Sequence, residues 1–248
     1  PVWAPADGGR SRINYLVPAP ETGARLASYG VRAERITVTG FPLPSVLEER
    51  AEPLLEGRLR RLQREGEGPP LLTFAVGGAG AQADRARQLL VALAGPLRAA
   101  AVRLALVAGL RPRLARAFRR WAASAGIDGT TGALTIVEAA TFDELYERFN
   151  AVLERTDALW TKPSELSFYA ALGLPLILDD PVGDHERANA RWVLTARAGV
   201  VRPADAVTGP QVLRWFGDGT LARCARHGFA RLPRGGAAAV SQAVFNCS

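Results

Sequence analysis

The stretch LWTKPSELSFYAALGLPLILDD, residues 159–180, carries the alternation that decides the fold. An apolar run ends at Thr161, the letters SELSFYAALG have helical spacing, and LPLIL is a second short apolar run. A strand, a helix and a strand in so short a stretch indicate parallel strands joined by a crossover helix. The stretch also contains Lys162, the only lysine among the 31 lysine and arginine residues.

The same alternation continues on both sides and covers residues 71–201. Its strand-like runs are LLTFA, VRLALV, ALTIV, DALW, LPLIL and VVRP, with helical patterns between them. These runs are continuous rather than alternating, as expected of parallel strands that are buried on both faces. We therefore predict an α/β fold with a doubly wound parallel sheet, in which ligands bind at the carboxyl ends of the strands.

Composition divides the chain into four expected parts. A Gly/Pro-rich break follows a charged helical stretch, and no clear strand follows Thr208. The expected parts are a remnant of an N-terminal domain at 1–44, a linker helix at 45–70, a ligand-binding domain at 71–207 and a helical tail at 208–248. Because the chain contains no methionine, we interpret it as a fragment that begins in mid-domain, downstream of further sequence.

Composition also excludes several classes of protein. No apolar run reaches the roughly 18–20 residues that a membrane span needs. Two cysteines and two histidines without ligand spacing make a metal site improbable, so we expect no metal. Free thiols suit a reducing cytoplasm.

The charge of the chain has two interpretations. A net charge of +7 suits an anionic partner such as a nucleotide, an anionic lipid or a nucleic acid. The alternative is the codon bias of a GC-rich genome, which favours arginine over lysine. If that bias is strong, Lys162 marks a place where a compact ammonium is needed rather than a planar guanidinium.

Four strand ends carry candidate ligand-binding residues. Gly77, Gly78 and Gly80 follow the first strand and would let backbone N–H groups approach a phosphate, or they form only a tight turn. Their spacing is not a full G-x-G-x-x-G, so a dinucleotide is not implied. Glu138 ends another strand and could face a base or a ribose hydroxyl, or could be a solvated charge.

The two remaining strand ends carry more polar groups. Lys162 could bind a phosphate, Ser164 could cap the next helix, and Glu165 could bind sugar hydroxyls or favour the helix dipole. Asp184 is a sugar ligand or, alternatively, a helix N-cap. The other candidates at this strand end are Gly183, His185, Glu186 and Asn189.

Taken in order, these motifs resemble the C-terminal, nucleotide-sugar-binding domain of GT-B glycosyltransferases of the MurG and monogalactosyldiacylglycerol-synthase type. The motifs are RITVTGFPLP, LLTFAVGGAGAQ, TFDELYERFNAVLERTDALWTKPSELSFYAALGLPLIL and GDHERANARWVLTARAGVV. The resemblance implies a donor-binding Rossmann domain at 71–207 and the end of an acceptor-side Rossmann domain at 1–44. It also implies glycosyl transfer from a nucleoside diphosphate sugar, a UDP-sugar, with no cofactor.

The resemblance suggests a role for each candidate residue, and the sequence also departs from the family's pattern at several positions. We expect the diphosphate at Gly77, Gly78, Gly80, Lys162 and Ser164, where the letters TKPSE replace a longer glycine-rich turn of the family and Lys162 supplies the charge in its place. The resemblance places the base, ribose and sugar at Glu138, Glu165, Gly183, Asp184, His185, Glu186 and Asn189. The position of the family's ribose-binding acid falls on Phe168, so Glu165, one turn earlier on the same face, is expected to replace it. The glutamine expected after Asp-His is Glu186.

The catalytic base remains unassigned, because it is expected upstream of Pro1. The acceptor is also unassigned. One alternative is a nucleotide-sugar 2-epimerase on the same fold. Its acid/base chemistry needs histidines and carboxylates, and this chain is poor in histidine. A second is a non-catalytic nucleotide- or nucleic-acid-binding module, supported only by charge. We expect a cytoplasmic protein, with peripheral contact to the inner face of the membrane as a further option.

Overall fold

The computed structural model describes residues 7–63, 68–75, 83–127 and 132–245. Strands β1 (Tyr15–Val17) and β2 (Ile36–Val38) form a separate two-stranded parallel sheet. The main sheet contains β3 (Leu71–Ala75), β4 (Arg103–Gly109), β5 (Leu134–Glu138), β6 (Ala158–Thr161), β7 (Leu176–Leu178) and β8 (Gly199–Val201). All six are parallel, in the order β5-β4-β3-β6-β7-β8. The order reverses between β3 and β6, which makes this the switch point of a doubly wound sheet.

Helices connect the strands and cover the sheet. They are α1 (Pro20–Ser28), α2 (Ser45–Glu48), α3 (Ala51–Leu62), α4 (Ala83–Arg98), α5 (Pro112–Ser124), α6 (Phe142–Arg155), α7 (Asp184–Thr195), α8 (Thr208–Gly217), α9 (Thr220–Arg231) and α10 (Gly236–Phe245). Short 3-10 helices span Gly8–Arg10, Ala33–Arg35, Glu165–Leu172 and Asp205–Val207. Within the described part of the tail, 208–245, only helices and connecting loops occur, as predicted.

The strands are buried on both faces, which explains their continuous apolar runs. Leu72 and Phe74 of β3 join a core cluster with α4, α5 and α8, whereas Leu71 and Ala75 join a second cluster with α6 and α7. Alternate residues of one strand thus serve opposite faces, as the pleat requires. The predicted doubly wound, Rossmann-like parallel sheet is confirmed.

Two predicted helices differ from those observed. The charged stretch after Ser45 is divided into α2 and α3, and Pro53 lies in the first turn of α3, where a missing N–H is tolerated. Residues Glu165–Leu172 form a 3-10 helix rather than an α-helix. This segment packs on α9, where an added Cβ on Gly228 would lie 2.4 Å from the Ala170 carbonyl oxygen. The 3-10 segment and α9 therefore approach each other closely at this point.

The small sheet is attached through the segment after β2. Phe41 and Leu43 are buried in the cluster that also contains parts of α6 and α7. β1 and β2 do not hydrogen bond to the main sheet. The domain boundaries derived from composition remain a prediction.

Candidate functional site

The carboxyl edge of the main sheet carries most of the predicted ligand-binding residues. Glu138 ends β5, Lys162 follows β6, and Asp184 begins α7 after β7. Gly77, Gly78 and Gly80 lie outside the described residues. β3 ends at Ala75, one step beyond the Phe74–Trp160 register pair and therefore beside the end of β6.

Lys162 is held by an ion pair at this edge. Its Nζ lies 2.5 Å from Oε1 of Glu186, and its side chain is 19% exposed. Glu186 is buried, and its Oε2 accepts a hydrogen bond of 2.7 Å from the backbone N–H of Val182. Both carboxylate oxygens of Glu186 are therefore engaged inside the protein.

These contacts favour the charged form of the Glu186 carboxylate. Burial alone would raise the pKa of Glu186, but hydrogen bonds from Lys162 and from the Val182 amide outweigh it and hold that pKa below its usual value. A carboxylate held in this way fixes the position of the ammonium. The pair was missed at the level of sequence because 24 positions separate its members and no periodicity relates them.

The loop after β6 is tied to α7. Asn189 donates from Nδ2 to the carbonyl oxygen of Pro163 at 3.1 Å. Ser164 occupies the predicted N-cap position, but its side chain makes no capping hydrogen bond, so that part of the prediction is wrong. Its backbone N–H instead donates to the carbonyl oxygen of Lys162 at 2.7 Å, which closes a tight turn.

The start of α7 presents exposed polar groups. Gly183 is the N-cap and Asp184 is the first helical residue, so the alternative in which Asp184 caps the helix is wrong. A hydrogen bond from Arg187 lowers the pKa of Asp184 below its usual value. His185 is exposed, with Nε2 3.9 Å from Oε1 of Glu186. Asp184 and His185 are thus both exposed to solvent, with the Asp184 carboxylate paired to Arg187.

A cavity of about 610 Å³ opens at the carboxyl ends of β3 and β4. Its lining comprises Ala75, Val107, Gly109, Leu110, Arg111, Phe142, Leu145, Phe149, Glu165 and Leu166. Glu165 and Arg111 are the two charged residues of this lining, and the rest is largely apolar. Such a chamber suits a planar apolar group with a few hydrogen-bonding substituents.

Glu138 lies at the same edge but is engaged by arginines. Arg119 forms a hydrogen bond and ion pair with its carboxylate, and Arg148 donates to its carbonyl oxygen at 3.0 Å. The hydrogen bond from Arg119 lowers the pKa of Glu138 below its usual value. Glu138 is not part of the cavity lining.

Phe168 lies in an aromatic cluster rather than beside Glu165. Its ring stacks on Phe41 with centroids 3.8 Å apart, and Trp192 meets Phe41 edge-on at 4.9 Å. Phe168 lines a smaller cavity of about 240 Å³ together with Asn189. Stacking directs Phe168 toward Phe41 and Trp192, whereas Glu165 lines the larger cavity at the edge, and the replacement of the ribose-binding acid by Glu165 stays a prediction.

A network of five charged side chains at the same edge was also missed by sequence reasoning. It contains Arg85, Asp179, Asp180, Arg202 and Asp205, with Asp179 buried at its centre. The Asp-Asp pair at a strand end was the only local signal, since the arginines come from distant parts of the chain.

Among the described residues, no cluster of three or more His, Cys, Asp or Glu side chains could hold a metal ion. The helices described here include none with the length and apolar character needed to cross a membrane.

Comparison with solved structures identifies the class of fold. The chain has the fold of GT-B glycosyltransferases and UDP-GlcNAc 2-epimerases, and its architecture agrees with a GT-B C-terminal domain. No protein-family model matches the chain, and no curated protein matches it in sequence. The finer resemblance to the MurG and monogalactosyldiacylglycerol-synthase type stays a prediction.

Three particular neighbours show the extent of the similarity. WaaG, a glycosyltransferase involved in lipopolysaccharide biosynthesis, matches 94% of this chain with 17% identity and a TM-score of 0.56. UDP-GlcNAc 2-epimerase from Neisseria meningitidis, bound to UDP-GlcNAc, matches 94% with 9% identity and a TM-score of 0.59. Anabaena HepE, in complex with UDP and glucose, matches 94% with 12% identity and a TM-score of 0.53. The chain spans 60–62% of the length of these proteins.

Proposed function

We propose that this chain is the donor-binding half of a glycosyltransferase that uses a nucleoside diphosphate sugar, a UDP-sugar. The observation that carries the proposal is the cavity lined by Glu165 at the carboxyl edge, with Lys162 at the same edge. The fold adds support, because neighbours with this fold were crystallised with UDP or a UDP-sugar.

In this proposal the nucleoside occupies the cavity. Its apolar walls suit a base, and the Glu165 carboxylate can accept hydrogen bonds from ribose hydroxyls. Glu165 thus takes the role that the resemblance gives to the position of Phe168, which the aromatic cluster occupies.

The diphosphate would lie between the start of α4 and Lys162. Transfer of the sugar leaves extra negative charge on the departing diphosphate, and preformed positive groups stabilise that charge. Lys162 and the backbone N–H groups of Gly77, Gly78 and Gly80 are proposed for this role. Glu186, buried with both oxygens engaged, would position Lys162 rather than bind the sugar.

The sugar would face the start of α7, where Gly183, Asp184, His185 and Asn189 are proposed ligands. We propose that Glu138 contacts the base or the ribose after its carboxylate exchanges the hydrogen bond from Arg119 for one from the ligand. The acceptor and the catalytic base are unassigned, since the chain spans about three fifths of its structural neighbours. Peripheral membrane contact from the cytoplasm stays a prediction.

UDP is expected to raise the melting temperature of the full chain more than NAD does. A ligand that binds only the folded state stabilises it by mass action, about 2.7 kcal/mol at 100 times its Kd. Thermal unfolding with equal concentrations of UDP, uridine and NAD measures the rise in melting temperature that each ligand causes. Equal or greater protection by NAD would contradict the proposal and indicate a dinucleotide-binding protein.

A second candidate, 2-epimerisation of a nucleotide sugar, is favoured by the epimerases among the structural neighbours. That chemistry removes and returns a proton at the sugar, which requires acid/base groups at the site. The described histidines are His185, at the edge, and His227, in α9. We expect the full chain to leave the sugar configuration of UDP-GlcNAc unchanged. Appearance of the 2-epimer in an NMR time course would favour the epimerase.

A further inference from the structure

Asp179 is a buried carboxylate with a complete set of donors. It follows β7 and is 4% exposed. Its Oδ2 accepts from Nε of Arg85 at 3.1 Å and from the indole N–H of Trp160 at 3.2 Å. Its Oδ1 accepts from the backbone N–H of Asp180 at 2.8 Å and lies 3.1 Å from Nε of Arg202. A charge buried in this way is stable only while its partners hold their positions.

The two arginines are themselves joined. Nη1 of Arg85 lies 2.5 Å from Oδ1 of Asp205, and Nη1 of Arg202 lies 3.0 Å from the same oxygen. Asp180 and Asp205 are 63% and 53% exposed, but the arginine side chains are 16% and 18% exposed and Asp179 is 4% exposed, so the two arginine pairs with Asp179 are largely shielded from solvent. Shielding strengthens these interactions relative to exposed ion pairs.

The network joins separate elements at the carboxyl edge. Arg85 is the third residue of α4, and Trp160 belongs to β6. The backbone N–H of Asp179 also donates to the carbonyl oxygen of Thr161 at 2.9 Å, directly before Lys162. Asp179 therefore fixes the first turn of α4 relative to the position of Lys162.

The distance between the start of α4 and Lys162 matters for the binding of a diphosphate. The start of a helix carries partial positive charge, and an ammonium carries a full charge. Two such groups stabilise one anion best when the distance between them is already set, since no ordering cost then arises on binding.

We propose that Arg85 and Asp179 are positioning residues that set the affinity of this edge for the diphosphate of a nucleotide, without touching it. The inference rests on the proposed function, because it takes a nucleoside diphosphate as the ligand. It adds residues that neither the sequence motifs nor the resemblance indicated.

The chain offers a matched control at the opposite edge of the sheet. Asp157 precedes β6, is fully buried, and accepts from Nε of Arg61 in α3 at 2.7 Å and from the backbone N–H of Leu71 at 2.8 Å. The Arg61–Asp157 pair thus repeats the chemistry of Arg85–Asp179, but at the amino edge, away from the candidate site.

Calorimetric titration of the full chain with UDP and with uridine tests the proposal. Arg85→Met is expected to weaken UDP binding about tenfold and to change uridine binding by less than about twofold. Arg61→Met should lower the melting temperature but leave the ratio of the two affinities unchanged. Arg85→Lys, which can reach only one of the two carboxylates that Arg85 meets, should recover part of the UDP affinity.

The outcomes separate this inference from the function on which it rests. If the parent protein does not bind UDP, both are overturned. If the parent binds UDP and Arg85→Met binds it equally well, or loses UDP and uridine affinity alike, only the positioning role is overturned. Should Arg85→Met fail to fold, Arg85→Lys decides: an unchanged ratio of UDP to uridine affinity overturns the inference, and a lowered ratio supports it.

Discussion

Arg58→Met is expected to lower the free energy of unfolding by about 3–5 kcal/mol. Arg58 is 2% exposed, and its guanidinium caps the ends of two helices. It donates to the carbonyl oxygens of Thr156 at 2.7 Å, Gly173 at 3.0 Å and Leu172 at 3.1 Å. Methionine would fill much of the space but remove the guanidinium donor from all three oxygens, and the loss of a buried charged partner typically costs about 3–5 kcal/mol in total. Urea unfolding of parent and variant measures the loss.

Burial lowers the pKa of Arg58 to about 10, and the nearby Asp157 carboxylate offsets part of this effect. The guanidinium is therefore charged at neutral pH. The control is Arg60→Met on the same helix, because Arg60 is exposed. Its effect should stay within about 0.5 kcal/mol. Equal losses from the two variants would show that Arg58 contributes no more than a surface arginine.

Lys162→Ala in the full chain is expected to weaken UDP binding by roughly 10- to 150-fold. A hydrogen bond to a charged group contributes about 1.5–3 kcal/mol, and about 1.4 kcal/mol corresponds to a factor of ten. Uridine binding should hardly change, because uridine has no diphosphate. Lys162→Arg should recover only part of the affinity, because the guanidinium is larger and less compact. Calorimetry with both ligands measures these differences.

The ion pair with Glu186 provides the control for this experiment. Glu186→Gln keeps a hydrogen-bond acceptor near Lys162 but removes the charge that neutralises the ammonium. Because the glutamine oxygen can still hold Lys162 in position while the ammonium is no longer neutralised, UDP binding by this variant should equal or exceed that of the parent. If Lys162→Ala binds UDP as tightly as the parent does, Lys162 serves only to neutralise Glu186, and the proposed phosphate contact is wrong.

The sheet could be predicted from sequence because its signal is local. Continuous apolar runs such as Leu71–Ala75 are long enough to identify buried strands, and Thr141 caps α6 with a hydrogen bond from the backbone N–H of Glu144, as its sequence suggests. The 3-10 geometry of Glu165–Leu172 was not predicted, because helical spacing in a short segment does not distinguish a 3-10 helix from an α-helix.

The candidate site was predictable in location but not in detail. Parallel strands bring their carboxyl ends together, so Lys162 and Asp184 could be placed at one edge from the pattern alone. The partner of each side chain could not be predicted, because Lys162 pairs with Glu186, and Asp179 with Arg85, across long separations in sequence. Phe168 shows the same limit, since its stacking partner Phe41 lies in a segment that precedes the main sheet.

The aromatic cluster of Phe41, Phe168 and Trp192 gives the protein an optical property. Trp192 lies at the seam between the segment that follows β2 and helix α7, with its ring edge-on to Phe41. Trp192 is only partly buried, and any displacement of the small sheet from the large one would expose more of its indole to water and shift its fluorescence emission to longer wavelength. Trp160 is almost fully buried beside Asp179 and would contribute emission that such a displacement leaves unchanged.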